Sequence, residues 1–155
     1  MKKQWIVSTF TLVLFLFGCA GGNDEIKDSQ LSLLKTTNPP PLELNKEKET
    51  VASQVKKEVQ QMKELYDVAV IVGEEDILVA YKVKHLYRIR MKKIEKNLKK
   101  TLEKKFPGEN FSVSSDYKVF LEAVRLKEKL DEGKISKKEA NKKLKKLIKL
   151  KDKQT

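Results

Sequence analysis

Two runs of β-branched and aliphatic residues, "DVAVIVG" (residues 67–73) and "ILVAYKV" (residues 77–83), are separated only by Glu74-Glu75-Asp76. Runs of strand length joined by a short, acidic, Gly-bearing turn predict a β-hairpin. The first run is apolar at nearly every position, the pattern of a strand that is central or covered on both faces. Whatever else the chain forms, it must supply cover for this hairpin.

The flanking sequence has that capacity. Val51, Val55, Val59, Met62 and Leu65 or Tyr66 recur every three or four positions, which predicts a helix of about 18 residues starting near residue 47. Residues 89–105 return to helical spacing, with Met91, Ile94, Leu98 and Leu102 inward, and Pro107 and Gly108 end the helix. "NFSVSS" predicts a third short strand. Asp116 is placed to cap a third helix carrying Tyr117, Phe120, Leu121, Val124 and Leu130, which Gly133 breaks. Ser136 with Glu139 three residues on is a capping box opening a last helix, apolar at Ala140, Leu144, Leu147 and Ile148 and lysine-rich elsewhere. The order α-β-β-α-β-α plus a basic C-terminal helix fits the α+β class: a small sandwich with a three-stranded sheet and helices on one face. A crossover between the second and third strands is right-handed if they run parallel. No internal repeat is visible.

The N-terminus has the grammar of an export signal. Basic "MKKQ" precedes "WIVSTFTLVLFLF", an uncharged stretch shorter than the about 20 residues that span a bilayer. It closes on Leu16-Phe17-Gly18-Cys19, which resembles the bacterial lipobox, although Phe17 is larger than usual at its position. That motif implies cleavage between Gly18 and Cys19 and a diacylglyceryl group on the Cys19 thiol, whose two acyl chains hold far more firmly than one. An ordinary cleaved signal and an uncleaved anchor are the other readings. As the chain's one cysteine, Cys19 has no disulfide partner, and no neighbouring ligands complete a metal site. The expected organisation is a signal peptide over 1–18, a lipidated N-terminus and flexible tether over 19–46, an α+β domain over 47–133, and a lysine-rich helix over 134–155. Pro39 to Pro41 predict a short polyproline II piece within the tether, whose coil dimensions correspond to about 25–30 Å.

A search for chemistry yields no catalytic constellation. His85, the lone histidine, makes neither a multi-His zinc site nor a Cys-His pair with a lipidated Cys19. Gly73 belongs to a turn and opens no phosphate loop. Glu74, Glu75 and Asp76 are the acids a wall hydrolase would recruit, but on an exposed turn they lack the burial that separates two carboxyl pKa values. Ser114-Ser115-Asp116 suits a strand end and helix cap. No cofactor and no metal site are expected.

Charge says more. The 34 Lys and Arg against 22 Asp and Glu give +12, which favours anionic partners. Arg88, Arg90, Lys92, Lys93, Lys96, Lys99 and Lys100 are candidate contacts to an anionic surface, with Tyr81 and Tyr87 interleaved nearby. A nucleic-acid reading would use them on phosphates, but an exported, lipidated domain is removed from cytoplasmic nucleic acid. Anionic headgroups, at about 1 kcal/mol per well-placed Lys, fit a membrane-tethered helix better. A solvated lysine face stands beside both.

The succession of lipobox, tether, helix, "DVAVIVGEEDILVAYKV", a Lys-rich helix and "FSVSSDYKVFLEAV" resembles the YhcN/YlaJ family of sporulation lipoproteins of endospore-forming bacteria. The matching positions are Val68 to Gly73, Ala80 to Val83, Val113 to Asp116 and Phe120. The chain departs in having Ser115-Asp116-Tyr117 where the family has an Asp-Pro-Asp type of sequence, and in its lysine-rich tail. The resemblance implies a non-enzymatic lipoprotein, anchored on the extracytoplasmic face of the forespore or inner spore membrane and associated with spore formation or germination. Its function is then that of a binding or scaffolding module for a protein or cell-wall partner. A cortex-processing enzyme or its accessory factor, and an anionic-polymer binder, are the alternatives.

Overall fold

The structure, a computed structural model, describes residues 38–152. Gly18, Cys19 and most of the expected tether lie outside these residues. The strands are β1 (Leu42–Glu43), β2 (Leu65–Val72), β3 (Asp76–Val83) and β4 (Asn110–Ser114). The helices are α1 (Glu49–Gln60), α2 (Met91–Lys105), α3 (Tyr117–Asp131) and α4 (Lys137–Asp152), with 3-10 turns at Lys46–Lys48 and His85–Arg90.

The hairpin forms as expected. β2 and β3 are antiparallel with Val68 opposite Tyr81, Val70 opposite Val79 and Val72 opposite Ile77, and the Gly73 N–H donates to the Asp76 carbonyl at 2.9 Å. A β-bulge between Leu65 and Asp67 shifts the register, so Leu65 joins the same face as Val68 and Val70.

Two expectations about the sheet need correction. Among the described residues it has four strands in the order β1-β2-β3-β4, not three, because Leu42–Glu43 pairs in parallel with β2 through Leu42 opposite Ile71 and Glu43 opposite Val72. This strand sits inside the segment read as tether, so residues 42–43 of that segment belong to the sheet. Two residues are too few for a periodic signal, but Leu42 and Leu44, both buried, already show the strand alternation. Helices also cover both faces, not one. Val68, Val70, Ile77, Val79 and Tyr81 meet α1 and α2 through Val55, Val59, Ile94, Leu98 and Leu102. Ala69, Ile71, Leu78 and Ala80 meet α3 and α4 through Val119, Phe120, Ala123 and Leu144. The reason is the composition of β2 and β3 themselves: strands apolar on both faces expose one unless both are covered. Burying each large side chain fully contributes roughly 1.5–3 kcal/mol.

The first helix is shorter than expected. It ends at Gln60, and Met62 packs on the core from the turn that leads into β2, which takes Leu65 and Tyr66. Both caps read from sequence are present: Asp116 Oδ1 accepts from the Lys118 and Val119 amides at 2.7 and 3.0 Å, and Ser136 and Glu139 bond reciprocally at 2.8 and 3.3 Å. Gly73 is required by packing, since a Cβ there would lie 2.6 Å from Leu144 Cδ2 and 3.1 Å from Asn141 Oδ1.

Candidate functional site: two adjoining basic clefts

β3 and β4 are parallel, with Ile77 opposite Phe111 and Val79 opposite Val113, so their carboxyl ends emerge at the same end of the sheet. From Val83 the chain passes through the His85–Arg90 turn into α2; from Ser114 it turns at Ser115 into α3. Two clefts of about 450 Å³ each open where these connections part. The first is lined by Met91, Lys92, Glu95, Lys96 and Lys99 of α2, by Val113 to Asp116, and by Lys151 at the end of α4. The second is lined by Tyr66, Lys82, Val83, Arg88 and Tyr117. Met91 and Ser115 belong to both, so the clefts adjoin.

Helical periodicity puts Lys92, Lys96 and Lys99 on one side of α2. α4 starts at the hairpin, where Asn141 meets Glu74 and Lys145 pairs with Glu75 at 2.8 Å, and ends beside Ser115 at Lys151. It lies on the α3 face of the sheet, and β4 is one of the two edge strands among the described residues. The first cleft lies between two lysine-bearing helices at the end of that edge.

Its two carboxylates are already engaged. Glu95 Oε2 accepts from the Ser115 hydroxyl at 3.1 Å, and Asp116 caps α3. Lys99 lies 3.7 Å from Glu103, whereas Lys92 and Lys96 have no acidic partner among the described residues. The rim thus presents cations that the cleft does not neutralise. Beside it, on the α2 face of the sheet, Tyr81 is fully buried and its hydroxyl makes no hydrogen bond of normal geometry. Burial pushes its phenol well above the ordinary range, the Glu95 carboxylate adds to the shift, and the nearby Ser115 side chain opposes it.

The second cleft contains an ion pair. Lys82 Nζ is 3.1 Å from Asp67 Oδ2 and lies 4.2 Å from the Phe120 ring centroid, 5.4 Å from Tyr117 and 5.9 Å from Tyr66. Asp67 Oδ1 also accepts the Asn38 N–H at 2.7 Å.

The seven cations expected as surface contacts thus divide by position. Lys92, Lys96 and Lys99 rim the first cleft and Arg88 lines the second, while Arg90, Lys93 and Lys100 are exposed outside both. The acids of the hairpin tip act as fasteners. Glu74 bonds Asn141, Asp76 accepts from Asn110, and Lys145 holds the Glu75 carboxyl below the usual range, the opposite of what a general acid needs. Among the described residues no group of three or more His, Cys, Asp or Glu is arranged to hold a metal ion, and no helix is long and apolar enough to cross a membrane.

A family model for the sporulation lipoprotein YhcN/YlaJ family matches residues 22–148, from just past Cys19 almost to the end of α4. The chain belongs to that family. Membrane association and a role connected with sporulation go with that membership. No curated protein and no solved structure matches the chain.

The parts of this sporulation lipoprotein that were hardest to read from sequence are the long-range pairings. Glu95 and Ser115 lie twenty residues apart, and no local pattern joins them. Asp67 and Lys82 had a readable signal: an acid opening one strand run and a lysine near the close of the other, equidistant from the turn.

Proposed function

We propose that the domain is a non-enzymatic binding module, held at the forespore or inner spore membrane by a diacylglyceryl group on Cys19 after cleavage behind Gly18. Its first cleft receives the acidic groups of an extended partner, presented by a protein or a wall polymer, while the edge of β4 and the helices α2 and α4 frame the contact.

The observation that carries this reading is the charge state of the cleft. Its carboxylates Glu95 and Asp116 are committed to hydrogen bonds, and Lys92 and Lys96 are left without acidic partners. Rim cations of this kind chiefly speed encounter and select partners by sign. Wall hydrolysis is the less favoured reading, because Glu74, Glu75 and Asp76 are engaged with Asn141, Lys145 and Asn110. Nucleic-acid binding fits an exported domain poorly.

Fractionation of sporulating cells tests the anchor. Cys19→Ala moves the protein to the soluble fraction and abolishes its function; membrane retention with full function would sink the reading.

A further inference from the structure

Leu86 and Ile89 are 88% and 99% exposed, the two most exposed large apolar side chains among the described residues. Both lie on the His85–Arg90 turn, and in a 3-10 helix residues three apart eclipse one another. Leu86 and Ile89 therefore form one aliphatic ridge. Tyr87, between them in sequence, packs against the core and holds the turn to the domain. Nothing in the fold of residues 38–152 requires the ridge, since neither residue belongs to a core cluster.

Cations surround it. Arg88 and Arg90 share the turn, and Lys92 and Lys93 follow in the first turn of α2; none of the four has an acidic partner among the described residues. An aliphatic ridge set in unpaired cations is complementary to an anionic bilayer, whose headgroups meet the charges while its acyl region takes the apolar side chains. A protein surface offering the same match would need an apolar pocket ringed by acids.

The position of the ridge agrees. The described chain begins at Asn38, whose N–H bonds Asp67; Asp67 is paired in register with Lys82, next to the last residue of β3, and the ridge begins at Leu86, just past the end of that strand at Val83. The segment leading from Cys19 therefore joins the domain at the same end of the sheet that carries Leu86 and Ile89.

We infer that the His85–Arg90 turn is a membrane-insertion wedge: Leu86 and Ile89 enter the interface of an anionic bilayer, and Arg88, Arg90 and Lys93 bind its headgroups. The domain then stands on the membrane in one orientation, with the Gly73–Asp76 hairpin tip directed away. The lipid on Cys19 supplies attachment and the wedge supplies orientation, the two-signal arrangement that makes membrane binding stable.

The test uses the full chain reconstituted in vesicles of phosphatidylcholine with or without phosphatidylglycerol, with brominated acyl chains as quencher. Ile89→Trp places a reporter in the wedge, Lys142→Trp places one at the hairpin end of α4, and the unsubstituted lipidated chain, which has lost its one tryptophan, Trp5, with the leader, gives the background. In phosphatidylglycerol vesicles the Ile89→Trp emission shifts to the blue and is quenched, while that of Lys142→Trp is neither. Adding Arg90→Glu and Lys93→Glu, both exposed and outside the clefts, removes the quenching. No quenching at position 89, equal quenching at position 142, or quenching indifferent to lipid charge would each overturn the inference. Binding in the cleft is read by a different probe, so either proposal can fail alone.

Discussion

Lys82 and Asp67 face each other across the β2–β3 hairpin, 3.1 Å apart and with side chains only 12% and 5% exposed, and the lysine amine rests against the Phe120 ring. The pair ties three parts of the molecule together, because Asp67 also holds Asn38 at the point where the described chain begins. Breaking a buried pair by removing one partner leaves the other charge uncompensated, at a cost of about 3–5 kcal/mol. Lys82→Met is therefore strongly destabilising, whereas Asp67→Asn with Lys82→Met costs clearly less than the two single changes added. Denaturant unfolding of the four chains measures this; a Lys82→Met protein within 0.5 kcal/mol of the parent would contradict it.

Gly73 is the point where α4 touches the hairpin. The added methyl of Gly73→Ala would sit 2.6 Å from Leu144 Cδ2, so α4 must shift or Leu144 must change rotamer, and overpacking of this kind costs about 1–3 kcal/mol. Adding Leu144→Ala relieves the clash while opening space of its own. The double variant then recovers part of what the two single changes lose together, as a double-mutant cycle by thermal or denaturant unfolding detects.

Tyr81 makes alkaline stability a specific prediction. Its folded pKa is raised above the unfolded value by burial first and by Glu95 second. The neutral phenol's contribution is fully present below the unfolded pKa of about 10 and is lost as pH rises above it, because the unfolded chain ionises and the folded one resists. Tyr81 therefore ionises together with unfolding rather than in the folded protein. Tyr81→Phe removes both the unsatisfied hydroxyl and this alkaline loss, and at neutral pH it is neutral or stabilising. Phenolate absorbance followed alongside circular dichroism distinguishes the cases; a Tyr81 that ionises before unfolding would refute the assignment.

The hairpin, the third strand and both helix caps were legible because each rests on local pattern: β-branched runs, a Gly-bearing turn, and Asp116 or Ser136–Glu139 at the right offset. β1 was not, since a two-residue strand has no period and its triple-proline approach reads as linker. The second helical layer was implied by the two-faced apolarity of β2, yet which helices take which face depends on tertiary packing. At the site, the lysines of α2 were readable as a basic face. Their division between cleft rim and outer surface was not, because it depends on where Ser115 and the end of α4 come to lie.

The central claim is that the first cleft accepts acidic groups through Lys92 and Lys96. Backbone-amide NMR of the reconstituted chain titrated with a hexaglutamate peptide tests it most directly. The account predicts shifts concentrated at Lys92, Lys96, Lys99 and Ser115, abolished by Lys92→Glu with Lys96→Glu and retained in Lys142→Glu with Lys146→Glu. Shifts spread evenly over all lysine-bearing faces, or surviving the reversal at Lys92 and Lys96, would contradict it.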